Sequence, residues 1–411
     1  MANNEVSAAR KTANDDPAES SLLEARSLTS RAIQQTGLED FGDQGFVQRC
    51  AWWLQCATSE AHLDAAAYER LGMVIVGWFI NRLRWVDDLK KHPEINDEIV
   101  RAPIFVTGMP RTGTTKLQRV LAADPAVQNL PFWQVLNYAP VPGHRIGEPD
   151  PRIAIGAGYI DQITQHSADF LTAHPAFVDA PEEESFIIET DFQSQANCTR
   201  LRAPSFWQRL TVNPDRDSLQ YFKQILQYIQ WQRGTEGQRP WVLKSPLHIG
   251  NLDALFRVFP DAYVVHTYRD PLVAVPSNCR IVEVFRQLLT HDIDLAELGA
   301  EQLDCWSQIL NRHLQQRDRL NNGRIFDVHY EDIHKDVVQV VREIYAGTGR
   351  SLDESVAKAM LDWEANNPQH PFGQHRYSLE RYGLTADQVQ TAFSAYIARF
   401  AEPLGRANAK P

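Results

Sequence analysis

Thr107-Gly-Met-Pro-Arg-Thr-Gly-Thr-Thr115 follows a short apolar run, Ile104-Phe105-Val106, and precedes a helical pattern through Leu117, Val120 and Leu121. The order is strand, glycine-bearing loop, helix. Gly108 and Gly113 have the spacing of the phosphate loop GxxxxGK[ST]. Glycine lets backbone N–H groups turn inward, and the N-terminus of the following helix adds partial positive charge, so the segment is a phosphate cradle by mechanism. The lysine of that loop is missing: Thr114 stands in its place, and the cation is Arg111, inside the loop. A nucleoside triphosphatase needs the lysine on the outer phosphates and a metal held by the next hydroxyl.

Working outward, further strands are expected at Trp241–Leu243, Tyr263–Tyr268 and Ile325–Tyr330, separated by amphipathic stretches such as Leu252, Leu255, Phe256, Phe259. Apolar strands alternating with helices mean a parallel sheet covered on both faces, with ligands bound beyond the carboxyl ends of its strands. The fold class expected is α/β: a P-loop-like central parallel sheet flanked by helices. A helical N-terminal section precedes it, because Tyr68, Leu71, Val74, Ile75, Trp78, Phe79 and Arg82 follow a helical period. The expected divisions are a disordered polar tail (1–20), the helical section (21–100) and an α/β domain (101–405). Within that domain, 131–214 is rich in Pro, Gly and polar residues and reads as an insertion that covers the substrate.

The net charge of −11 opposes a nucleic-acid binder, which needs a basic face, but permits a local cationic pocket. The five cysteines lack metal-ligand spacing and read as free buried thiols. The N-terminus has no signal pattern, and the longest apolar run, Met73–Ile80, is too short to span a bilayer. A cytoplasmic protein without a membrane span is expected.

Two more stretches bear on the loop. Trp241-Val-Leu-Lys-Ser-Pro-Leu-His248 places Lys244 at a strand end; Tyr268-Arg-Asp-Pro271 is followed by Ser277. With the 107–115 loop, these resemble the three core motifs of the sulfotransferases that use 3′-phosphoadenosine 5′-phosphosulfate (PAPS). Val328-His-Tyr-Glu-Asp332 and Gly373-Gln-His-Arg-Tyr-Ser378 resemble late motifs of a bacterial branch, and the likeness covers nearly all of residues 60–400. It implies transfer of a sulfuryl group from PAPS, as co-substrate and with no metal, to a hydroxyl of a small-molecule acceptor. An arginine with several hydroxyls suits a 5′-phosphosulfate, which carries less charge than a triphosphate. The cofactor-binding residues implied are Arg111, Thr112, Gly113, Thr114 and Thr115 for the 5′ group. Arg269 and Ser277 are implied for the 3′-phosphate, with His375 or Arg376 near phosphate.

Arg269 at a strand end and Ser277 about two helical turns on would make a dianion clamp. An Arg-Asp-Pro surface turn with an internal ion pair is the plainer alternative. Arg111 and Lys244 are the expected stabilisers of the leaving phosphate and the sulfuryl oxygens. For the base that takes the acceptor's proton, His174, Glu182, Glu183 and His248 stay open; Pro181 followed by acids also suits a helix N-terminus. Phe132, Trp133, Phe170, Phe177, Phe186 and Trp207 are candidates for the acceptor pocket or for core. A P-loop kinase or NTPase, and a non-catalytic nucleotide-binding protein, are the alternatives.

Overall fold

A computed structural model describes residues 17–43, 45–144, 148–167, 169–212, 216–320, 322–367 and 377–400. Four parallel strands form one sheet: β1 (Ile104–Thr107), β2 (Val242–Lys244), β3 (Tyr263–Tyr268) and β4 (Ile325–His329), in the order β2-β1-β3-β4. The register pairs Val106 with Lys244, Thr107 with His266 and Tyr268 with His329. Thr107, Lys244 and Tyr268 therefore leave the sheet along the same edge, and this edge carries the site.

Strand side chains point alternately to opposite faces. Phe105, Leu243 and Val264 enter one core, with Phe132, Phe186, Phe222 and Leu255. Ile104, Val106, Val242 and Val265 enter another, with Leu117, Val120, Val341 and Ile344. Burial on both faces is the reason β1 and the start of β2 read as apolar runs, whereas β4 at the sheet's edge is partly exposed and carries Asp327. Two strands differ from expectation by one residue: β2 ends at Lys244 rather than Leu243, and β4 at His329 rather than Tyr330, where a helix begins.

The helical section consists of α1 (Pro17–Thr36), α2 (Phe46–Glu60) and α3 (Ala65–Lys91). Residues 1–16 of the expected tail lie outside the described residues, and residues 17–20 are already the first turn of α1. Asp64 caps α3 by accepting from Ala67 N at 2.6 Å, and Lys90 and Lys91 complement the dipole at its other end. Phe46, Trp53, Trp78 and Phe79 of α2 and α3 form a separate core into which Phe192 of the insertion projects. All five cysteines are free and buried, as expected. The stretch 131–214 holds helices of unequal length, among them Pro151–His166 of 16 residues and Ser185–Ile188 of 4. Among the described residues no helix is long and apolar enough to cross a membrane.

Candidate active site

The loop after β1 leads into α4 (Thr114–Leu121). At Gly108 a Cβ would stand 2.3 Å from Thr267 O of β3, so only glycine lets the loop lie against that strand. Gly113, at φ +92°, turns the chain into the helix; a Cβ there would meet Ile333 Cδ1 at 3.0 Å. Arg111 also sits at positive φ (+73°), a conformation that costs a non-glycine residue roughly 1–2 kcal/mol and is found chiefly at functional positions. The Thr112 hydroxyl donates to Met109 O (2.7 Å) and shares a hydrogen bond with Thr267 Oγ1 (2.7 Å), so it is engaged in pinning the loop to β3. Thr114 is buried and Thr115 half-buried in the first turn of α4.

The structure brings Arg111, Arg269 and Ser277 together. Arg111 Nε donates to Ser277 Oγ at 3.0 Å, and Arg269 Nη1 donates to Arg111 O at 3.3 Å. The Arg269 guanidinium lies 3.7 Å from the centroid of the Tyr330 ring. Among the described residues neither arginine is paired with a carboxylate. Asp270, next to Arg269, caps the helix Pro271–Gln287 by accepting from Leu272 N at 2.9 Å, so Arg-Asp-Pro is not a self-paired turn. Burial, reinforced by Arg269, pushes the Arg111 guanidinium down in spite of Tyr377 and Tyr330. Two guanidiniums and a hydroxyl thus meet near the head of α4, donors of the kind that pair with anions.

Lys244 ends β2 with its side chain fully buried, and its ammonium is bonded to Glu183 Oε1. The three consecutive glutamates have three different partners. Glu182 Oε2 meets His174 Nε2 at 3.1 Å. Glu183 takes Lys244 and, through Oε2, the Ser185 hydroxyl at 3.0 Å. Glu184 accepts from Lys244 N (2.7 Å) and meets His248 Nε2 (2.7 Å). The short helix Ser185–Ile188 begins only after the run, with no acid in its first turn, and Pro181 is bridged to Pro131 instead, so Pro181 and the acids do not open a helix as the sequence suggested. Burial pushes the Glu182 carboxyl up, but His174, Lys244 and Arg119 outweigh it and hold the group down at about 2.

Next to this cluster lies a cavity of about 130 Å³. His174, Glu183 and Pro110 line it; Glu182 and His248 do not. His248 is instead packed edge-on against Phe105, ring centroids 5.0 Å apart, with its Nε2 held by Glu184. Of the aromatic candidates, Phe186 and Trp207 line the cavity. Phe132 and Phe170 are core, Trp133 lies under Arg152, and Phe177 is exposed beside Arg119. His375 and Arg376 lie outside the described residues. Sequence reasoning missed Thr267, Tyr330 and Glu184 as individuals. Tyr330 stood inside a quoted motif, but its place beneath Arg269 has no local signal.

Against known proteins, 302 residues align at 22% identity with omega-hydroxy-beta-dihydromenaquinone-9 sulfotransferase Stf3 of Mycobacterium tuberculosis, covering 71% of this chain and 72% of that protein. The crystal structure of sulfotransferase STF1 from Mycobacterium tuberculosis superposes with a TM-score of 0.77 at 29% identity, over 90% of this chain and 98% of the other. That of sulfotransferase STF9 from Mycobacterium avium gives 0.81 at 27% identity, over 92% and 96%. Residues 103–354, which hold all four strands, the loop, Lys244, Arg269 and Ser277, match the profile of the Sulfotransferase family, and the chain is a member of that family.

Proposed function

We propose that this sulfotransferase moves the sulfuryl group of PAPS to a hydroxyl of a small molecule held in the cavity beside His174. One observation carries the reading: Arg111, Arg269 and Ser277 converge at the edge of the sheet, with no carboxylate among them in the described residues. This donor set fits a nucleotide anionic at both its 5′ and 3′ positions. Arg111, Gly113, Thr114 and Thr115 would hold the 5′ group, and Arg269 and Ser277 the 3′-phosphate. When bound, PAPS supplies the sulfuryl group. The reading assigns no metal, since cationic side chains supply the charge.

The chain's own residues then do the following. Glu182 fixes the His174 ring through Nε2. That leaves Nδ1 to take the acceptor's proton while the new oxygen–sulfur bond forms. Arg111 and Lys244 stabilise the charge that stays with the leaving phosphate. Glu183 holds the Lys244 ammonium at the strand end. The named activity of the Mycobacterium tuberculosis relative, toward an omega-hydroxy compound, supports a hydroxyl acceptor. Membership of an enzyme family disfavours the kinase and non-catalytic alternatives.

The test is calorimetric titration without magnesium, using 3′,5′-diphosphoadenosine beside AMP and magnesium-ATP. Tight binding of the diphosphate alone is expected. A preference for magnesium-ATP would overturn the proposal.

A further inference from the structure

The cavity next to His174 has a second set of polar residues that the reaction does not use. Gln195 lines it and is only 3% exposed, yet its side-chain amide has no hydrogen-bond partner among the described residues. The turn that carries it, Gln195–Cys198, is rigidly set: Ser194 Oγ accepts from Ala196 N at 3.1 Å, and Asn197 Nδ2 donates to Glu189 O at 2.7 Å. Asn278, also 3% exposed, gives its Nδ2 to Gln302 Oε1 at 2.9 Å; its Oδ1 has no partner among the described residues. The Gln195 amide and Asn278 Oδ1 are not sealed inside protein but open onto the cavity, where a ligand's polar group can complete their bonding.

The charges on that wall cancel. Glu189 receives three contacts of 2.7–3.1 Å from Arg200, and Glu301 is bonded twice by Arg286 at 2.5 and 3.0 Å. A charged substituent would lose its hydration there without gaining a counter-ion, whereas a neutral carbonyl or hydroxyl matches an amide. Phe186, Phe285 and Trp306 supply the apolar remainder, and Trp207 adds a buried indole N–H without a partner among the described residues. The volume, about 130 Å³, is close to that of a cavity of roughly 150 Å³ known to take up benzene.

Resting on the proposed transfer to a hydroxyl, we infer that the acceptor presents to this cavity a single ring bearing, besides the hydroxyl that is sulfated, a neutral polar substituent read by Gln195. The class is a ring alcohol or phenol with a second carbonyl or hydroxyl, and Gln195 is the specificity-determining residue.

Three phenols of similar size separate the possibilities: para-hydroxyphenylacetone, para-isobutylphenol and para-hydroxyphenylacetate. The methylene spacer keeps their phenolic acidities alike, and the corresponding benzyl alcohols form a parallel set. With the full chain and PAPS, kcat/KM for the ketone should exceed that for the isobutyl compound and for the carboxylate by about tenfold or more. In Gln195→Leu the ketone's advantage over the isobutyl compound should disappear through loss of the ketone rate alone, with affinity for 3′,5′-diphosphoadenosine unchanged. Equal rates on ketone and isobutyl compound in the parent protein, or an unaltered ratio in the variant, overturn the inference. Titration of the same compounds without nucleotide gives an independent readout. The ketone should bind the parent more tightly than Gln195→Leu, and equal binding overturns the inference even if nucleotide binding has failed. Failure of the diphosphate titration with this binding preference intact overturns the proposed donor and upholds the cavity's assignment.

Discussion

Arg82 Nη1 donates to Asp191 Oδ1 at 2.7 Å, and both side chains are buried. Arg82 belongs to α3; Asp191 belongs to the segment that runs on to Gln195. Arg49 of α2 reaches the same carboxylate at 2.9 Å, and Phe192, at φ +55°, places its ring among Phe46, Trp53, Trp78 and Phe79. The helical section thus buttresses the cavity wall. Removing one partner of a buried ion pair leaves an uncompensated charge and typically costs about 3–5 kcal/mol, less here because Arg49 stays. Arg82→Met should lower stability to urea by about 2 kcal/mol and raise the acceptor's KM, with 3′,5′-diphosphoadenosine affinity retained. An unchanged KM in the folded variant would remove the helical section from any part in acceptor binding.

Arg269 is the second test. It has Arg111 O and the Tyr330 face as its contacts, and the proposal gives it the 3′-phosphate. Arg269→Ala should weaken 3′,5′-diphosphoadenosine binding by about 2–4 kcal/mol, the range for truncating a desolvated charge contact. Tyr330→Leu, which takes away the ring beneath the guanidinium, should cost about 1 kcal/mol. Calorimetric affinities decide both, and a full-affinity Arg269→Ala protein would take Arg269 out of the site.

Features governed by local rules were legible in the sequence. The loop between Gly108 and Gly113 needs glycine for close approach and for positive φ. Lys244 and Arg269 stand at or just beyond strand ends because β2 and β3 are apolar runs that stop there. The Arg269–Ser277 spacing places the serine on the helix after β3, facing the loop. Features that depend on distant chain were not legible. Glu182, Glu183 and Glu184 are alike in sequence, and their separate partners are set by where His174, Lys244 and His248 arrive in space. Phe132 and Phe186 were equal candidates for pocket or core. Whether the space ahead of a ring is filled by another side chain, as for Phe132, or left as a cavity, as for Phe186, is decided by packing that no local pattern encodes. Gln195 carried no signal, since an unpartnered amide is recognisable only when its surroundings are known.

The choice of base can be made with two histidines. His174 lines the cavity and has Glu182 behind it; His248 is buried on Glu184 and does not line that cavity. His174→Ala should lower kcat by about a hundredfold or more with nucleotide affinity kept. His248→Asn should lower stability by about 1–3 kcal/mol, the cost of a disturbed buried polar pair, and change kcat by less than about tenfold. Both effects come from purified proteins, by steady-state rates and urea unfolding. The opposite pattern would transfer the proton-accepting role to His248.

Glu182 ties the site to stability at low pH. Burial alone would raise its carboxyl, yet His174, Lys244 and Arg119 hold it at about 2, against 4.5 for an unperturbed glutamate. Between those values the unfolded chain binds a proton that the folded chain does not, so stability falls as pH falls through this window. The contribution is fully present above about pH 5. Glu182→Gln removes it. The variant should be less stable than the parent at neutral pH, and the gap between their urea midpoints should shrink steadily from about pH 4.5 toward pH 2. A gap that stays constant over that range would mean that the buried Glu182–His174 pair contributes nothing to acid sensitivity, and that the cations around it fail to hold the carboxylate charged.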